Sequence, residues 1–230
     1  MIGRDNTVAA TSGRPPHKGL WNEDRLAVTL AFLSGYVDAY GFVHYKIYVS
    51  FMSGNTTQAS LLASGGHLPS AVPIVLAIVA FVAGAFAGAW LLHSQLRSPR
   101  RWLLLAVAAL FATNAIAPSA LWTGAALLSF AMGALTTSVT RVGAQSVTVG
   151  YITGSLSNMA QHLALAAKRL PVPDAEGPWD THFRRVALLA SIWFALIAGA
   201  VLAGVVTSPH SSVALLPAIL LLVVLAACIR

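Results

Sequence analysis

The sequence predicts an all-α membrane bundle: six transmembrane helices in two inverted three-helix repeats, each with a glycine-centred irregular segment. Composition is the first of three observations behind this. The chain is 57% hydrophobic and 9% charged, whereas a water-soluble domain carries about a quarter charged residues. The second is an internal echo. Residues 49–54 read Val-Ser-Phe-Met-Ser-Gly and residues 149–154 read Val-Gly-Tyr-Ile-Thr-Gly; residues 80–85 (Ala-Phe-Val-Ala-Gly-Ala) return at 195–200 as Ala-Leu-Ile-Ala-Gly-Ala. An odd number of crossings in the first half inserts the second half upside down, a recurring plan of secondary transporters. The third is that Lys and Arg gather in alternate loops, which sets orientation.

Residues 1–25 read as a polar cytoplasmic arm with Arg4, Arg14, Lys18 and Arg25. No short apolar core precedes Leu26, so the arm is not read as a cleavable signal. Residues 26–230 read as one transmembrane domain, repeat one over about 26–118 and repeat two over about 119–230. The expected spans are Leu26–Val43, Val72–Leu92, Trp102–Ala117, Leu121–Val139, Val186–Val206 and Val213–Ile229. Each approaches the length that crosses a hydrocarbon core of about 30 Å. Trp102 and Trp122 stand at span starts, where amphipathic rings anchor at the interface, and Trp193 lies deeper, where packing is expected.

Arg97, Arg100 and Arg101 follow the second span, and Lys168, Arg169, Arg184 and Arg185 precede the fifth. The loops 117–119 and 207–212 hold no Lys or Arg. Basic loops on the inside place both termini in the cytoplasm. Counting Ile47–Ala63 as a further span would move the three arginines outside. Segments 44–71 and 140–167 are therefore expected to enter the bilayer without crossing it, as re-entrant hairpins or as broken helices.

In the first segment, Ser53-Gly54-Asn55-Thr56-Thr57-Gln58 reads as a helix start, with Asn55 capping the backbone and Gln58 at capping-box spacing. Thr153-Gly154-Ser155-Leu156-Ser157-Asn158 reads similarly. A helix that begins inside the bilayer exposes free N–H groups and a positive dipole end, which favour an anion. Two such starts from opposite faces are expected to meet near the midplane. The alternative is that the glycines only make turns and the hydroxyls only satisfy backbone.

Asp38 is the single acid within an expected span, and an intramembrane carboxylate is by default a functional hypothesis. The alternative pairs it with Lys46 or His44 at the helix end. Its counterpart in the second repeat lies near Thr136, so a charged role would be asymmetric. The candidate substrate-binding set is Asp38, Ser53, Gly54, Asn55, Thr56, Thr153, Gly154, Ser155, Ser157 and Asn158. Gln145, Gln161 and His162 are possible additions. Arg141 reads as an inner-face charge and Asn114 as an interhelical hydrogen bonder.

Gly84 and Gly88 form a small-residue face in the second span, repeated by Gly199 and Ala203 in the fifth. That equivalence suggests these two spans cross near a pseudo-two-fold axis. The one cysteine, Cys228, excludes an intrachain disulfide. The seven histidines show no paired ligand spacing, so no metal and no cofactor are expected. No phosphate loop, nucleophile elbow or HExxH motif supports an enzyme. The net charge of +7 sits in interhelical loops facing lipid headgroups, which argues against nucleic acid as a partner.

Leu33-Ser34-Gly35-Tyr36-Val37-Asp38-Ala39, Phe51-Met52-Ser53-Gly54-Asn55 and Tyr151-Ile152-Thr153-Gly154-Ser155-Leu156-Ser157-Asn158 resemble the motifs of the YoaK-like family of bacterial multi-pass membrane proteins. The likeness covers residues 26–229, with Ser53 where relatives often have Thr. It implies a six-helix bacterial inner-membrane protein and lends no site residues, because the family is catalogued as a domain of unknown function.

The leading expectation is a small secondary transporter or channel-like carrier of a polar or ionic solute. The alternative is a membrane scaffold or accessory subunit acting through residues 168–185. Beyond the bilayer and the solute, a homo-oligomer is a possible partner state. An intramembrane enzyme is the weakest reading.

Overall fold

The computed structural model describes residues 18–116, 121–138, 141–142, 145–146, 152–175, 177–206 and 212–229. Among them run eight α-helices: α1 Lys18–Tyr45, α2 Met52–Ser64, α3 Leu68–Leu92, α4 Pro99–Ile116, α5 Leu121–Thr136, α6 Ile152–Ala167, α7 His182–Val206 and α8 Leu216–Cys228. A 3-10 turn, Ser212–Leu215, leads into α8. Arg141–Val142 and Gln145–Ser146 form a two-residue antiparallel pair. The class is all-helical, as expected.

Among the described residues, three segments are long and apolar enough to cross a membrane: Glu23–Tyr45, Leu68–Leu92 and His182–Val206. Trp122–Thr136 and Val213–Cys228 are shorter apolar helices. The fourth helix holds Arg100, Arg101 and Asn114 within its eighteen residues. The expected arm boundary at residue 25 falls inside a helix, because α1 already begins at Lys18. Both segments expected to be irregular contain a helix, α2 and α6.

Helix ends follow local chemistry. Lys46, at φ 56°, ends α1 with its N–H on the Phe42 carbonyl at 3.0 Å. The second helix stops at Gly66, φ 77°, where the His67 N–H reaches back to the Leu62 carbonyl at 2.8 Å. The sixth stops the same way at Arg169, φ 54°, with the Leu170 N–H on the Leu165 carbonyl at 3.1 Å. A left-handed residue lets the chain turn back and satisfy the last carbonyls. Pro217 sits in the first turn of α8, where a missing N–H costs nothing.

The first helix is the hub: 61% of its candidate span is buried, against 22% for α3 and 28% for α7. It packs along α7, while α3 packs along α5, α4 along α8, α2 along α3 and α6 along α7. The core between them holds Leu30, Leu33, Tyr36, Leu104, Phe111, Leu128, Met132 and Leu222. Outward faces are apolar as well. Val75, Val79, Val82, Phe86 and Trp90 line α3, and Phe194, Ile197, Val201 and Val205 line α7, all exposed. A contiguous apolar belt of this extent is expected to face lipid.

Two crossings are set by glycine. A Cβ on Gly84 would lie 1.9 Å from the Phe130 carbonyl oxygen, and one on Gly133 would lie 2.0 Å from that of Phe81. In the other pair, Gly199 meets the Phe32 oxygen at 1.9 Å and Gly35 meets that of Leu196 at 2.0 Å. This corrects one expectation. The small-residue helices α3 and α7 do not cross each other; each seats on a Phe-x-x-Gly face, Phe130–Gly133 of α5 or Phe32–Gly35 of α1. The reason is that a glycine groove needs a backbone ridge opposite it, and these faces supply one.

Candidate functional site

Asp38 lies on α1, three residues beyond Gly35, on the side turned to the loop 46–51. Its Oδ1 accepts the Val49 N–H at 2.9 Å and the Ser50 N–H at 2.7 Å. The Ser50 hydroxyl donates to Oδ2, and Ser34 Oγ lies 2.9 Å from Ser50 Oγ. The carboxylate therefore pins the loop that joins α1 to α2. The alternative partners do not hold it. His44 stacks on Tyr40 and bonds the Tyr40 carbonyl, and Lys46 turns to the Phe42 ring.

Beside this carboxylate lies a cavity of about 400 Å³. Gly35, Asp38, Ala39 and Phe42 of α1, Tyr48 and Phe51 of the loop, and Leu196 and Ala200 of α7 line it. The rings form a continuous wall. Phe42 and Tyr48 stack at 4.8 Å, and Tyr48 meets Phe51 edge-on at 5.5 Å. A more open cavity of about 600 Å³ lies across that wall, lined by Ser53, Gly54, Thr57, Gln58, Leu61 and Leu62 as well as the same Tyr48 and Phe51.

The expected cap at the start of α2 is not made. The helix begins one residue after Phe51, which makes no side-chain capping bond. Asn55 is instead fully buried within the first turn. Its amide donates to the Tyr48 carbonyl at 2.6 Å, and its Oδ1 accepts the Tyr48 N–H at 3.1 Å. Asn55 takes this role because Tyr48 lies in the loop between α1 and α2, where Asn55 supplies the partners of its N–H and carbonyl, whereas the Met52 N–H is already bonded to the Ser50 carbonyl at 3.1 Å. Thr56 and Thr57 donate to the carbonyls of Met52 and Ser53 four residues back, at 2.8 and 3.1 Å. That is the backbone-serving alternative.

The second-half candidates sit apart. Thr153, Ser157 and Asn158 are exposed on α6, Gly154 is half-buried and Ser155 is buried. None of the five lines either cavity. The two helix starts lie on different helices, α2 on α3 and α6 on α7, rather than along one another. Residues 147–151, which include part of the second echo, fall outside the described residues, and so do the side chains of Arg141 and Gln145.

Asn114 behaves as expected: it accepts the Tyr45 hydroxyl at 3.0 Å and donates to the Gly124 carbonyl at 3.1 Å, joining α1, α4 and α5. The sequence reading missed the polar cluster at the other end of the bundle. Arg185 is buried at the start of α7 and bonds Asp180 through Nε at 2.9 Å and Nη2 at 2.7 Å, and Asp174 through Nη1 at 2.9 Å. His162 of α6 meets His182 of α7 at 2.9 Å between Nδ1 atoms, and His182 Nε2 faces the Leu170 carbonyl at 3.1 Å. Arg184 bonds Asp24 at 2.8 Å and covers the Trp179 ring at 4.7 Å, while Arg100 bonds Glu23 at 2.6 Å. The one available signal was that the acids Asp174, Glu176 and Asp180 stand close in sequence to Arg184 and Arg185. Among the described residues, no group of three His, Cys, Asp or Glu is placed to hold a metal.

A family model described as "Protein of unknown function (DUF1275)" matches residues 26–228. The chain belongs to this family. It is also 30% identical over 192 residues to a UPF0700 transmembrane protein of Rhizobium meliloti (strain 1021), covering 83% of this chain and 78% of that relative. No solved structure matches the chain. The match begins at Leu26, at the head of the apolar run of α1, and contains both cavities and all ten candidate residues. The exposed apolar belts described above fit the transmembrane character of the relative.

Proposed function

We propose that this DUF1275 member is a small secondary transporter or channel-like carrier of a polar or ionic solute in a bacterial inner membrane, with both termini cytoplasmic. The observation that carries the proposal is the cavity of about 400 Å³ between α1 and α7, with the Asp38 carboxylate on its wall. An acidic side chain inside a spanning helix is costly and is kept where it meets ion, proton or solute. The YoaK-like motifs at residues 33–39, 51–55 and 151–158 support the bacterial inner-membrane part of this reading.

The inverted-repeat plan belongs to the same proposal. It is supported by the way the two glycine crossings exchange: replacing Gly35 by Gly133 and Gly84 by Gly199 turns each contact into its counterpart. Likewise α2 on α3 corresponds to α6 on α7. On this plan the cavity lies between the repeats, since α1 belongs to the first and α7 to the second. Discontinuous elements at such a junction hold substrate in inverted-repeat carriers. Thr136, at the place of Asp38, donates to the Gly133 carbonyl at 2.7 Å, so only one half brings a charge.

Cysteine labelling tests the reading. In a Cys228→Ser background, single cysteines replace Ser53 and Thr153, both exposed. Labelling of each from both membrane faces is the result expected of alternating access. Labelling of each from one face only would sink it in favour of a scaffold. The Arg185–Asp174–Asp180 network supports that second reading, because it ties residues 174 and 180 to the start of α7.

A further inference from the structure

We infer that the cavity beside Asp38 takes an organic cation whose nitrogen is fully alkylated, of the quaternary ammonium class. This rests on reading the cavity as a solute site and names the class of solute. Three rings, Phe42, Tyr48 and Phe51, wall one side of the cavity, and the rest of the lining, apart from Asp38, is glycine and aliphatic. Aromatic rings that line a cavity offer π faces, which attract a cation that has shed its water. The Phe42 ring already attracts one: Lys46 Nζ lies 5.7 Å from its centroid.

The state of the carboxylate selects among cations. A primary ammonium or a guanidinium needs free acceptors, since each N–H must be matched once buried. Three of about four acceptor positions of Asp38 are taken by the Val49 N–H, the Ser50 N–H and the Ser50 hydroxyl, and the Phe51 N–H is directed at the same carboxylate. What Asp38 still offers is a negative field. A quaternary nitrogen has no N–H to place and asks only for such a field and for polarisable faces. A metal ion fits worse, because hard cations need about six oxygen ligands and the lining brings one carboxylate. An anion meets no basic group in the lining and an acid instead. The volume, about 400 Å³, lies in the range of small-molecule sites.

The test is calorimetric titration of the full chain in lipid nanodiscs with phenyltrimethylammonium, with its neutral isostere tert-butylbenzene, and with benzylammonium. Saturable binding of phenyltrimethylammonium, at least tenfold tighter than either comparison, is expected. Phe42→Leu and Tyr48→Leu should each weaken it by about tenfold, in keeping with a desolvated cation–π contact. Lys46→Gln should strengthen it by removing a positive charge from beside Phe42, an effect that a purely structural role would not produce. Equal binding of tert-butylbenzene would overturn the inference and make the cavity an apolar niche. Tighter benzylammonium, or no binding of any of the three, would overturn it too. Proteoliposome uptake separates the two readings. Binding without uptake keeps the cation site and removes the transport role. Uptake of another solute that phenyltrimethylammonium does not inhibit keeps transport and removes the cation site.

Discussion

The Ser50 amide and the Ser50 hydroxyl both donate to the carboxylate of Asp38, twelve residues earlier in the chain. One residue thus ties a spanning helix to the loop that carries Tyr48 and Phe51. The position of the aromatic wall depends on that tie, because the same loop is held from its other side by Asn55. Asp38 therefore holds the cavity's shape as well as lining it.

Replacing Asp38 separates these roles by degree. Asp38→Ala leaves two loop N–H groups without their acceptor and is expected to destabilise the protein by about 1–3 kcal/mol. Hydrogen exchange at Val49 and Ser50 should accelerate. Asp38→Asn retains an acceptor oxygen and removes the charge, so exchange in the loop should change less while cation binding and coupled movement are lost. Unchanged uptake by the Asn variant would remove the charge from the mechanism.

The glycine crossings predict a position-specific pattern. Gly84→Ala places a methyl group against the Phe130 backbone and should cost at least about 1–3 kcal/mol, the usual range for overpacking. Gly133→Ala and Gly199→Ala should behave alike. Gly204, whose added Cβ would meet nothing within 4 Å, is the internal control. Gly204→Ala should be neutral or stabilising by about 0.5–1 kcal/mol through helix propensity. Thermal unfolding of the four variants in one detergent decides it, and a uniform loss across all four would refute the crossing geometry.

Arg185 gives a graded test of the cytoplasmic cluster. Its side chain is 5% exposed, that of Asp180 is 4% and that of Asp174 is 57%. Arg185→Leu strips two charge-assisted bonds from a buried acid and should cost about 3–5 kcal/mol. Asp174→Ala removes a largely solvated partner and should cost under about 1 kcal/mol. Limited proteolysis across residues 168–182 should expose the first variant and spare the second.

Acid should loosen the same region. Burial, followed by the positive charges of Arg185 and His182, holds the His162 imidazole below its usual 6.5, against the opposing pull of Asp174 and Asp180. The folded chain then binds this proton less readily than the unfolded chain. The contribution to stability is complete above about pH 6.5 and declines as pH falls through the depressed folded value. Melting temperatures recorded between pH 8 and pH 5 should fall toward acid, and His162→Gln should flatten that slope. An unchanged slope in the variant would assign the pH response to another group.

Much of the architecture was legible because lipid imposes simple rules. The ends of α3, α5 and α7 fall within a few residues of where apolar runs and basic loops place them, since each backbone group must be satisfied within its own helix. Asn114 was legible for a related reason: a lone amide in an apolar helix has to find another helix. The Phe-x-x-Gly faces were not, because a ridge is recognised only when its groove is known. The role of Asn55 was missed because its spacing to Gln58 matches a capping box, and only the open loop at Tyr48 offered it a better match.

By itself the sequence determined that this is an all-helical membrane chain with one acid, Asp38, in an apolar run and two glycine-marked segments. Periodicity, length and charge placement are local properties, and bilayer physics acts on them locally. The tertiary structure alone decided that α1 lies against α7 and α3 against α5, and that Asp38 meets Ser50 rather than Lys46. It also brought Phe42, Tyr48 and Phe51 round one cavity. These depend on close approach between distant parts of the chain, and in a lipid-facing bundle such approach is set by backbone ridges seated on glycines and by the few polar groups left to satisfy.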